Sequence, residues 1–227
     1  MANKYISNSE TPVVQSKGGL FSKVALILTG QMAITAGGAY LGQGLNDGAL
    51  IALCLTAFAG IFAVRWAAAK NDVLGLSVTA AWTFLMGLVL GPAMALYVKD
   101  LGAAVVVQSF LGTGGMMAIC GIIAASSGID FSNRTFGRIL FISLLGLVVA
   151  GLVNIFLSFG HFGTIAYSII GMLIFTGYFL YDFHALIVRS NASDDNWEFA
   201  IWSSVNLYLD FMNFVLDLLR LLRELKK

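Results

Sequence analysis

Six polar residues recur every three or four positions along the last apolar segment of the chain, Phe199–Leu222. They are Ser203, Asn206, Asp210, Asn213, Asp217 and Arg220. On an α-helix this spacing places all six on one face, as a stripe roughly 25 Å long at 1.5 Å per residue. A carboxylate that faces lipid costs roughly 2.5–3.5 kcal/mol on insertion scales. The stripe is therefore expected to face protein or water, and it is a candidate path for ions or protons.

Two carboxylates and one arginine fall at compatible depths in the apolar segments. Arg65 lies near the end of the second segment, and Asp182 and Asp210 lie roughly 10 Å and 16 Å from the same membrane face at 1.5 Å per residue. Two carboxylates close together in a low-dielectric interior cannot both ionise cheaply, whereas a nearby arginine holds its partner ionised. Such a cluster has two arrangements that a proton switches, which predicts a pH-controlled gate.

The oxygen atoms of this cluster suit a hard cation. The carboxylates of Asp182 and Asp210, with the amide oxygens of Asn206 and Asn213, are the ligand type that Ca²⁺ takes. Too few of them are present for a tight site. We therefore predict transient Ca²⁺ binding at Asp182 and Asp210 during conduction, with Ca²⁺ as a transported ion and no resident cofactor.

The other polar positions of the stripe are given a secondary part in the path. They are Ser203, Asn206, Asn213 and Asp217. Asp217 lies roughly 10 Å from Asp210 along the helix axis, where we expect it to attract cations at the far mouth. The alternative is a local ion pair with Arg220, three residues further on.

Composition assigns the chain to the membrane. Hydrophobic residues make up 59% of the 227 residues and charged residues 11%, with a mean hydropathy of +0.87. A net charge of +1 gives no electrostatic case for binding nucleic acid. Cys54 and Cys120 both fall in apolar segments and are interpreted as small buried hydrophobic residues. The expected partners are the lipid bilayer, Ca²⁺ and protons.

Seven apolar stretches are long enough to cross a bilayer, which takes about 20 residues. They are Val24–Gly44, Gly48–Ala68, Val73–Val98, Ala103–Ala125, Ile139–Phe159, Phe162–Val188 and Phe199–Leu222. The chain is thus predicted to be an all-α polytopic membrane protein with seven transmembrane helices. Residues 1–23 form an amino-terminal cytoplasmic tail, 24–223 a single seven-helix domain, and 224–227 a basic carboxy-terminal tail.

The distribution of lysine and arginine predicts the orientation. With the amino terminus inside, the inner side collects Lys4, Lys17, Lys23, Arg65, Lys70, Arg134, Arg138 and Arg189, and the outer loops hold Lys99. The basic tail contradicts this pattern if the seventh helix crosses fully. Either the tail lies outside or one segment is re-entrant, so we predict a cytoplasmic amino terminus and leave the carboxyl terminus open. Short loops and tails favour a bacterial inner or plasma membrane.

Glycine and proline predict local packing. Gly38–Gly42 and Gly87–Gly91 are GxxxG pairs, which let helix backbones approach closely. Pro92 follows Gly91 inside the third segment, where proline removes a backbone hydrogen bond and kinks or breaks a helix.

Several stretches resemble the Bax inhibitor-1 family, the transmembrane Bax-inhibitor-motif proteins. They are FLYDFHALI around Asp182, NLYLDFMNFVLDLLRLL around Asp210, GPAMALYV in the third segment and GLVNIFLSF in the fifth. The resemblance implies six helices around a central last helix. It also implies a pH-sensitive Ca²⁺ leak with Asp182 and Asp210 as the proton sensor and Arg65 as the gating latch. Related bacterial sequences can carry an uncharged polar residue at the position of Asp217. Some relatives carry an acidic residue in the second segment, near the position of Cys54.

Two other functions remain alternatives. Paired aspartates on consecutive helices resemble an intramembrane aspartyl protease, but its Gly-x-Gly-Asp motif is replaced here by Leu207-Tyr208-Leu209-Asp210. We therefore predict that the protein is not an enzyme. The second alternative is a non-conducting regulator of a membrane-anchored AAA quality-control protease, engaged through the amino-terminal tail.

Overall fold

The structure, a computed structural model, describes residues 19–192 and 196–227. This part of the chain contains seven α-helices. They are α1 Gly19–Gly42, α2 Asp47–Ala68, α3 Asp72–Leu101, α4 Ala103–Ser126, α5 Arg134–Phe156, α6 Gly160–Asn191 and α7 Trp197–Leu225. The all-α prediction is confirmed. Most of the predicted amino-terminal tail lies outside the described residues, and α1 begins at Gly19, before the predicted start.

Asparagine sets the start of α2, α3, α5 and α7. The N-cap side chains of Asn46, Asn71, Asn133 and Asn196 each accept a hydrogen bond from a backbone N–H of the first turn. These bonds satisfy donors that a helix leaves unpaired at its start. Between α3 and α4 the chain reverses at one residue, Gly102, whose φ of 92° is accessible to glycine.

Helix α7 is the centre of the bundle. No residue from Phe199 to Glu224 is exposed, and α7 contacts α1, α2, α3, α4 and α6, while α5 packs on α6. In the described part of the chain, six helices are long and apolar enough to cross a membrane, α1 to α6. Helix α7 does not meet that composition because its stripe is polar, and the other helices shield it. The expectation of a central last helix is confirmed.

Helices α1 and α3 meet through their backbones. A Cβ atom added to Gly87 would lie 2.5 Å from the carbonyl oxygen of Thr35 and 2.9 Å from Cα of Gly38. Gly91 faces Gly42 in the same way, so the two predicted GxxxG pairs pack against each other. We call this contact the glycine seam.

Pro92 does not break α3, which runs continuously from Asp72 to Leu101. A proline at this position leaves the carbonyl of Leu88 without its helical donor. That carbonyl lies against Gly42 of α1. Neighbouring helices commonly accommodate proline within membrane helices in this way.

The two ends of α7 lie at opposite ends of the bundle. At one end, the Lys23 ammonium of α1 lies 4.6 Å from the Trp197 ring centroid. At the other, Arg223 pairs with Asp100 at the end of α3, with 2.6 Å between Nε and Oδ2. We call these the Trp197 end and the Asp100 end. A continuous helix of 29 residues joins them, so α7 is not re-entrant and the basic tail lies at the end opposite Lys23.

Candidate functional site

Helices α6 and α7 pack antiparallel in one continuous register. Gly171 lies against the Asp217 carboxylate, and Asp182 interacts with the Asn206 side chain. Nearer the Trp197 end, the Arg189 guanidinium lies 4.8 Å from the Phe199 ring centroid. The polar stripe of α7 therefore faces α6 along most of its length. This interface positions every predicted carboxylate.

The structure brings Asp182 and Asp210 together. The Asp182 carboxyl is within hydrogen-bonding reach of the Asp210 carboxyl and of Asn206. Asp210 is 6% exposed, whereas Asp182 is partly exposed. One carboxyl oxygen of Asp210, Oδ2, is buried and has no hydrogen-bond partner among the residues that the structure describes. We call Asp182 and Asp210 the acid pair.

The acid pair and Asn206 offer oxygen ligands to a cation. Ca²⁺ takes six to eight oxygens, roughly 2.3–2.6 Å away, and three side chains supply fewer than that. No group of three or more His, Cys, Asp or Glu able to hold a metal ion occurs within residues 19–192 and 196–227. These three side chains therefore do not complete the coordination shell of a Ca²⁺ ion by themselves.

Arg65 lies at a different level from the acid pair. Its exposed guanidinium lies 5.4 Å from the ring centroid of Trp202, which is one helical turn before Asn206. Within the described ranges Arg65 forms no ion pair with Asp182. The direct latch contact is thus absent from this arrangement of the chain, because the guanidinium stacks on an aromatic ring.

Asp217 pairs within its own helix. Its Oδ1 atom lies 2.5 Å from Nη1 of Arg220, and the Asp217 side chain is 6% exposed. The Arg220 guanidinium lies 5.0 Å from the Tyr167 ring centroid on α6. A Cβ atom at Gly171 would overlap the Asp217 carboxylate. The structure therefore favours the alternative of a local ion pair over a free carboxylate at a mouth. The sequence analysis did not identify Gly171 and Tyr167 as neighbours of this ion pair.

An aromatic layer separates the acid pair from the Asp217–Arg220 pair. Phe175, Phe179 and Phe214 are buried there, and the rings of Phe179 and Phe214 are 5.9 Å apart. The Asn213 amide donates to the carbonyl oxygen of Leu209, at 2.8 Å, so it is directed toward its own helix. In this arrangement the polar stripe is interrupted between its two carboxylate sites.

A second polar surface of α7 faces α1 and α3. The Tyr208 hydroxyl lies 2.8 Å from Oγ1 of Thr35, and its ring packs edge-on against Trp82. Gln31, one turn from Thr35, is 2% exposed, and neither its amide nitrogen nor its amide oxygen has a partner among the described residues. Sequence reasoning missed this surface. The sequence feature that could have indicated it is the pair Gln31 and Thr35, spaced i and i+4 in an apolar segment.

Comparison with known proteins identifies the family. The family model described as "Inhibitor of apoptosis-promoting Bax1" matches residues 18–227. The chain belongs to the Bax inhibitor-1 family. The match covers all seven helices of the fold, so the resemblance seen in the sequence is confirmed.

Relatives within this family come from bacteria and plants. The chain is 30% identical over 219 residues to a BI1-like protein of Arabidopsis thaliana, covering 92% of this chain and 82% of that protein. It is 31% identical over 165 residues to an uncharacterized protein of Campylobacter jejuni, covering 72% and 67%. It is also 37% identical over 100 residues to the protein LIFEGUARD 4 of Arabidopsis thaliana, covering 44% and 38%. A Bax inhibitor-1 family membrane protein is the identity that these matches support.

Proposed function

We propose that this protein is a pH-sensitive leak channel for Ca²⁺, with the acid pair as its proton sensor. The observation that carries the proposal is the contact between Asp182 and Asp210, two carboxyls on neighbouring helices inside an apolar bundle. Ionisable side chains within membrane segments are costly and mark ion or proton pathways. The partnerless oxygen of Asp210 supports an exchange of partners at this position.

A shared proton can join the two carboxyls. While one carboxyl is protonated, it donates a hydrogen bond to the other. When the proton leaves, two unit charges 4 Å apart repel by roughly 4 kcal/mol at an effective dielectric constant of 20. The ionised pair then needs a cation, which is either Ca²⁺ in transit or the guanidinium of Arg65.

Arg65 is proposed as the latch of the closed state. Its guanidinium lies beside the Trp202 ring. Trp202 precedes Asn206 by about one helical turn, or roughly 5.4 Å along the axis, a distance that an arginine side chain can span. Ionised Asp182 attracts it from the Trp202 ring, and protonated Asp182 releases it. Flux is therefore expected to rise as the pH falls through the range in which the pair takes up its proton.

The test is Ca²⁺ flux through the purified protein in liposomes as a function of pH. Asp182→Asn and Asp210→Asn should each remove the pH dependence, because neither variant retains two carboxyls that share a proton. Asp72→Asn is the matched control, since Asp72 is an exposed aspartate in the first turn of α3. A single Asn variant of the acid pair that keeps the wild-type pH profile would falsify the pairing.

The absence of flux at every pH would overturn the channel proposal. The non-conducting regulator would then be the alternative, tested by binding to a membrane-anchored AAA protease. Cleavage of a peptide substrate by the wild-type protein, lost in both Asn variants, would favour the protease instead.

We further propose that the Trp197 end faces the cytoplasm of a bacterial cell. Lys23, Arg65, Lys70 and Arg189 lie at this end beside aromatic rings. At the Asp100 end, Arg223 is paired with an acidic side chain. Reporter fusions at the two termini test this orientation, and a periplasmic amino terminus would contradict it.

A further inference from the structure

A cavity of about 360 Å³ opens at the Trp197 end, between α2, α6 and α7. Two arginines line it, Arg65 from α2 and Arg189 from α6, together with Glu198, Phe199 and Trp202 of α7. It lies outside the acid pair. The proposed channel mechanism uses Arg65 but assigns no ligand to the cavity.

Aromatic rings position both guanidinium groups. Arg65 lies 5.4 Å from the Trp202 ring centroid and Arg189 lies 4.8 Å from that of Phe199. The Arg65 guanidinium, stacked on a ring, keeps its in-plane N–H donors available for a planar fork of oxygens. Within the part of the chain that the structure describes, the guanidinium of Arg65 has no hydrogen-bond or ion-pair partner. Its donors are therefore available to an acceptor from outside the protein, and phosphate oxygens match them.

The cavity lies at the level where lipid headgroups are expected. Lys23 lies 4.6 Å from the Trp197 ring centroid, and Lys70 lies 4.5 Å from that of Trp66. Tryptophan, lysine and arginine concentrate at the membrane–water interface. A phospholipid of the adjoining leaflet can therefore reach the cavity without leaving the bilayer.

Helix α2 offers a surface for an acyl chain next to the cavity. Phe58 and Phe62 are 68% and 65% exposed, and their rings pack edge to face. Arg65 follows Phe58 by seven residues, so both lie on one face of the helix. An acyl chain against Phe58 and Phe62 thus places its headgroup beside Arg65.

We propose that the cavity binds the headgroup of an aminophospholipid. Its phosphate accepts hydrogen bonds from Arg65 and Arg189, and its ammonium group lies at Glu198. The exposed carboxylate of Glu198 repels a headgroup that carries negative charge alone, and it accepts hydrogen bonds from a primary amine. The inference does not depend on the protein being a channel, because it concerns binding alone.

Native mass spectrometry of the purified full-length protein tests the proposal. The probes are phosphatidylethanolamine, phosphatidylcholine and phosphatidylglycerol with the same acyl chains, and inorganic phosphate. We expect phosphatidylethanolamine to be retained best. Arg65→Gln and Arg189→Gln should each weaken its binding about tenfold, in the range expected for one lost charge-assisted contact. Glu198→Gln should reduce the preference for phosphatidylethanolamine over phosphatidylglycerol.

Arg138→Gln is the matched control, since Arg138 is an exposed arginine of α5 outside this cavity. An equal loss in this variant would show diffuse attraction to surface charge and would overturn the site. Phosphate binding with the same variant pattern, without lipid binding, would overturn the lipid as the ligand. Arg65→Lys keeps the charge without the planar fork, and its thermal midpoint checks folding. Wild-type retention of phosphatidylethanolamine in a folded Arg65→Lys, Arg189→Gln double variant would also reject the proposal.

Discussion

At the α6–α7 interface, two buried carboxylates on the same face of α7 have opposite electrostatic environments. Near its middle, Asp210 faces another carboxyl, Asp182, and one of its oxygens has no partner among the described residues. Towards the Asp100 end, Asp217 has a cation three residues away, Arg220, and a glycine on α6 that makes room for it. The same stripe therefore carries one site where two acids face each other and one whose charge is already balanced. The partner decides the difference, since both carboxylates are buried.

Removing Arg220 should convert the balanced site into an unbalanced one, with the largest effect on stability. Arg220→Ala leaves the Asp217 carboxylate buried without its cation. We expect the free energy of unfolding to fall by about 3 kcal/mol. This is the lower end of the range for breaking a buried ion pair, because Arg220 is partly exposed. Unfolding in denaturing detergent measures it. Arg223→Ala is the control, because its pair with Asp100 is more exposed and should contribute about 0–1 kcal/mol. Equal losses in the two variants would contradict the contrast.

Filling the space at Gly171 should displace the Asp217 carboxylate without removing any charge. Gly171→Ala places a methyl group where that carboxylate lies, and overpacking of this kind costs about 1–3 kcal/mol. Gly146→Ala is the control, because a Cβ there has no neighbour within 4 Å. A thermal midpoint lowered in Gly171→Ala and unchanged or raised in Gly146→Ala is the expected result. A wild-type midpoint for Gly171→Ala would contradict it.

Removing the proposed latch should affect the acid pair alone. Arg65→Ala is expected to raise Ca²⁺ leak at neutral pH by about tenfold, if the latch contributes roughly 1.4 kcal/mol to the closed state. Liposome flux measures this. Lys70→Ala, which removes a cation from the same end of the bundle, should leave the leak unchanged. A leak that stays equal or falls in Arg65→Ala would reject the latch.

Neutralising Asp217 should leave gating intact. Because Asp217 is paired locally, Asp217→Asn is expected to keep the pH midpoint of flux and to change conductance by no more than about twofold, a difference of roughly 0.4 kcal/mol. The same flux assay, with Asp210→Asn measured in parallel for comparison, tests this prediction. A shifted pH midpoint in Asp217→Asn would show that the two carboxylate sites are coupled through the aromatic layer.

The smallest effect is expected at Glu224, beyond the apolar segment of α7. A hydrogen bond from Lys227 lowers the pKa of the Glu224 carboxyl below its usual value. A carboxyl whose pKa is lower in the folded state stabilises the fold above its unfolded pKa, and it loses that contribution as the pH falls through the folded value. When the pH is lowered, the thermal midpoint of Glu224→Gln should therefore fall slightly less than that of the wild type. Parallel curves would contradict this.

Most of the fold could be predicted from patterns that repeat along the sequence. Apolar runs located the helices to within a few residues, and the polar stripe predicted that α7 is shielded. The meeting of Asp182 and Asp210 followed from depth, because their depths of roughly 10 Å and 16 Å differ by about one helical turn, which the side chains of neighbouring antiparallel helices can bridge.

Contacts that depend on side-chain choice could not be predicted in this way. Arg65 stacks on Trp202 instead of pairing with an acid, and sequence does not reveal which rotamer is chosen. Tyr208 forms a hydrogen bond with Thr35, 173 positions away. This contact depends on how α7 is oriented about its own axis, which the sequence does not reveal. The unbroken course of α3 through Pro92 depends on its contact with α1.

The glycine seam divides the molecule mechanically. Where Gly38 meets Gly87, the contact is between two backbones, so no side chain is present that could change rotamer and let the helices slide. Helices α1 and α3 must therefore move as one stiff body or separate entirely. The α6–α7 interface is built from side chains, which can repack. Side chains can therefore rearrange at the α6–α7 interface, where the proposed proton sensor lies, whereas the glycine seam fixes α1 and α3 relative to each other.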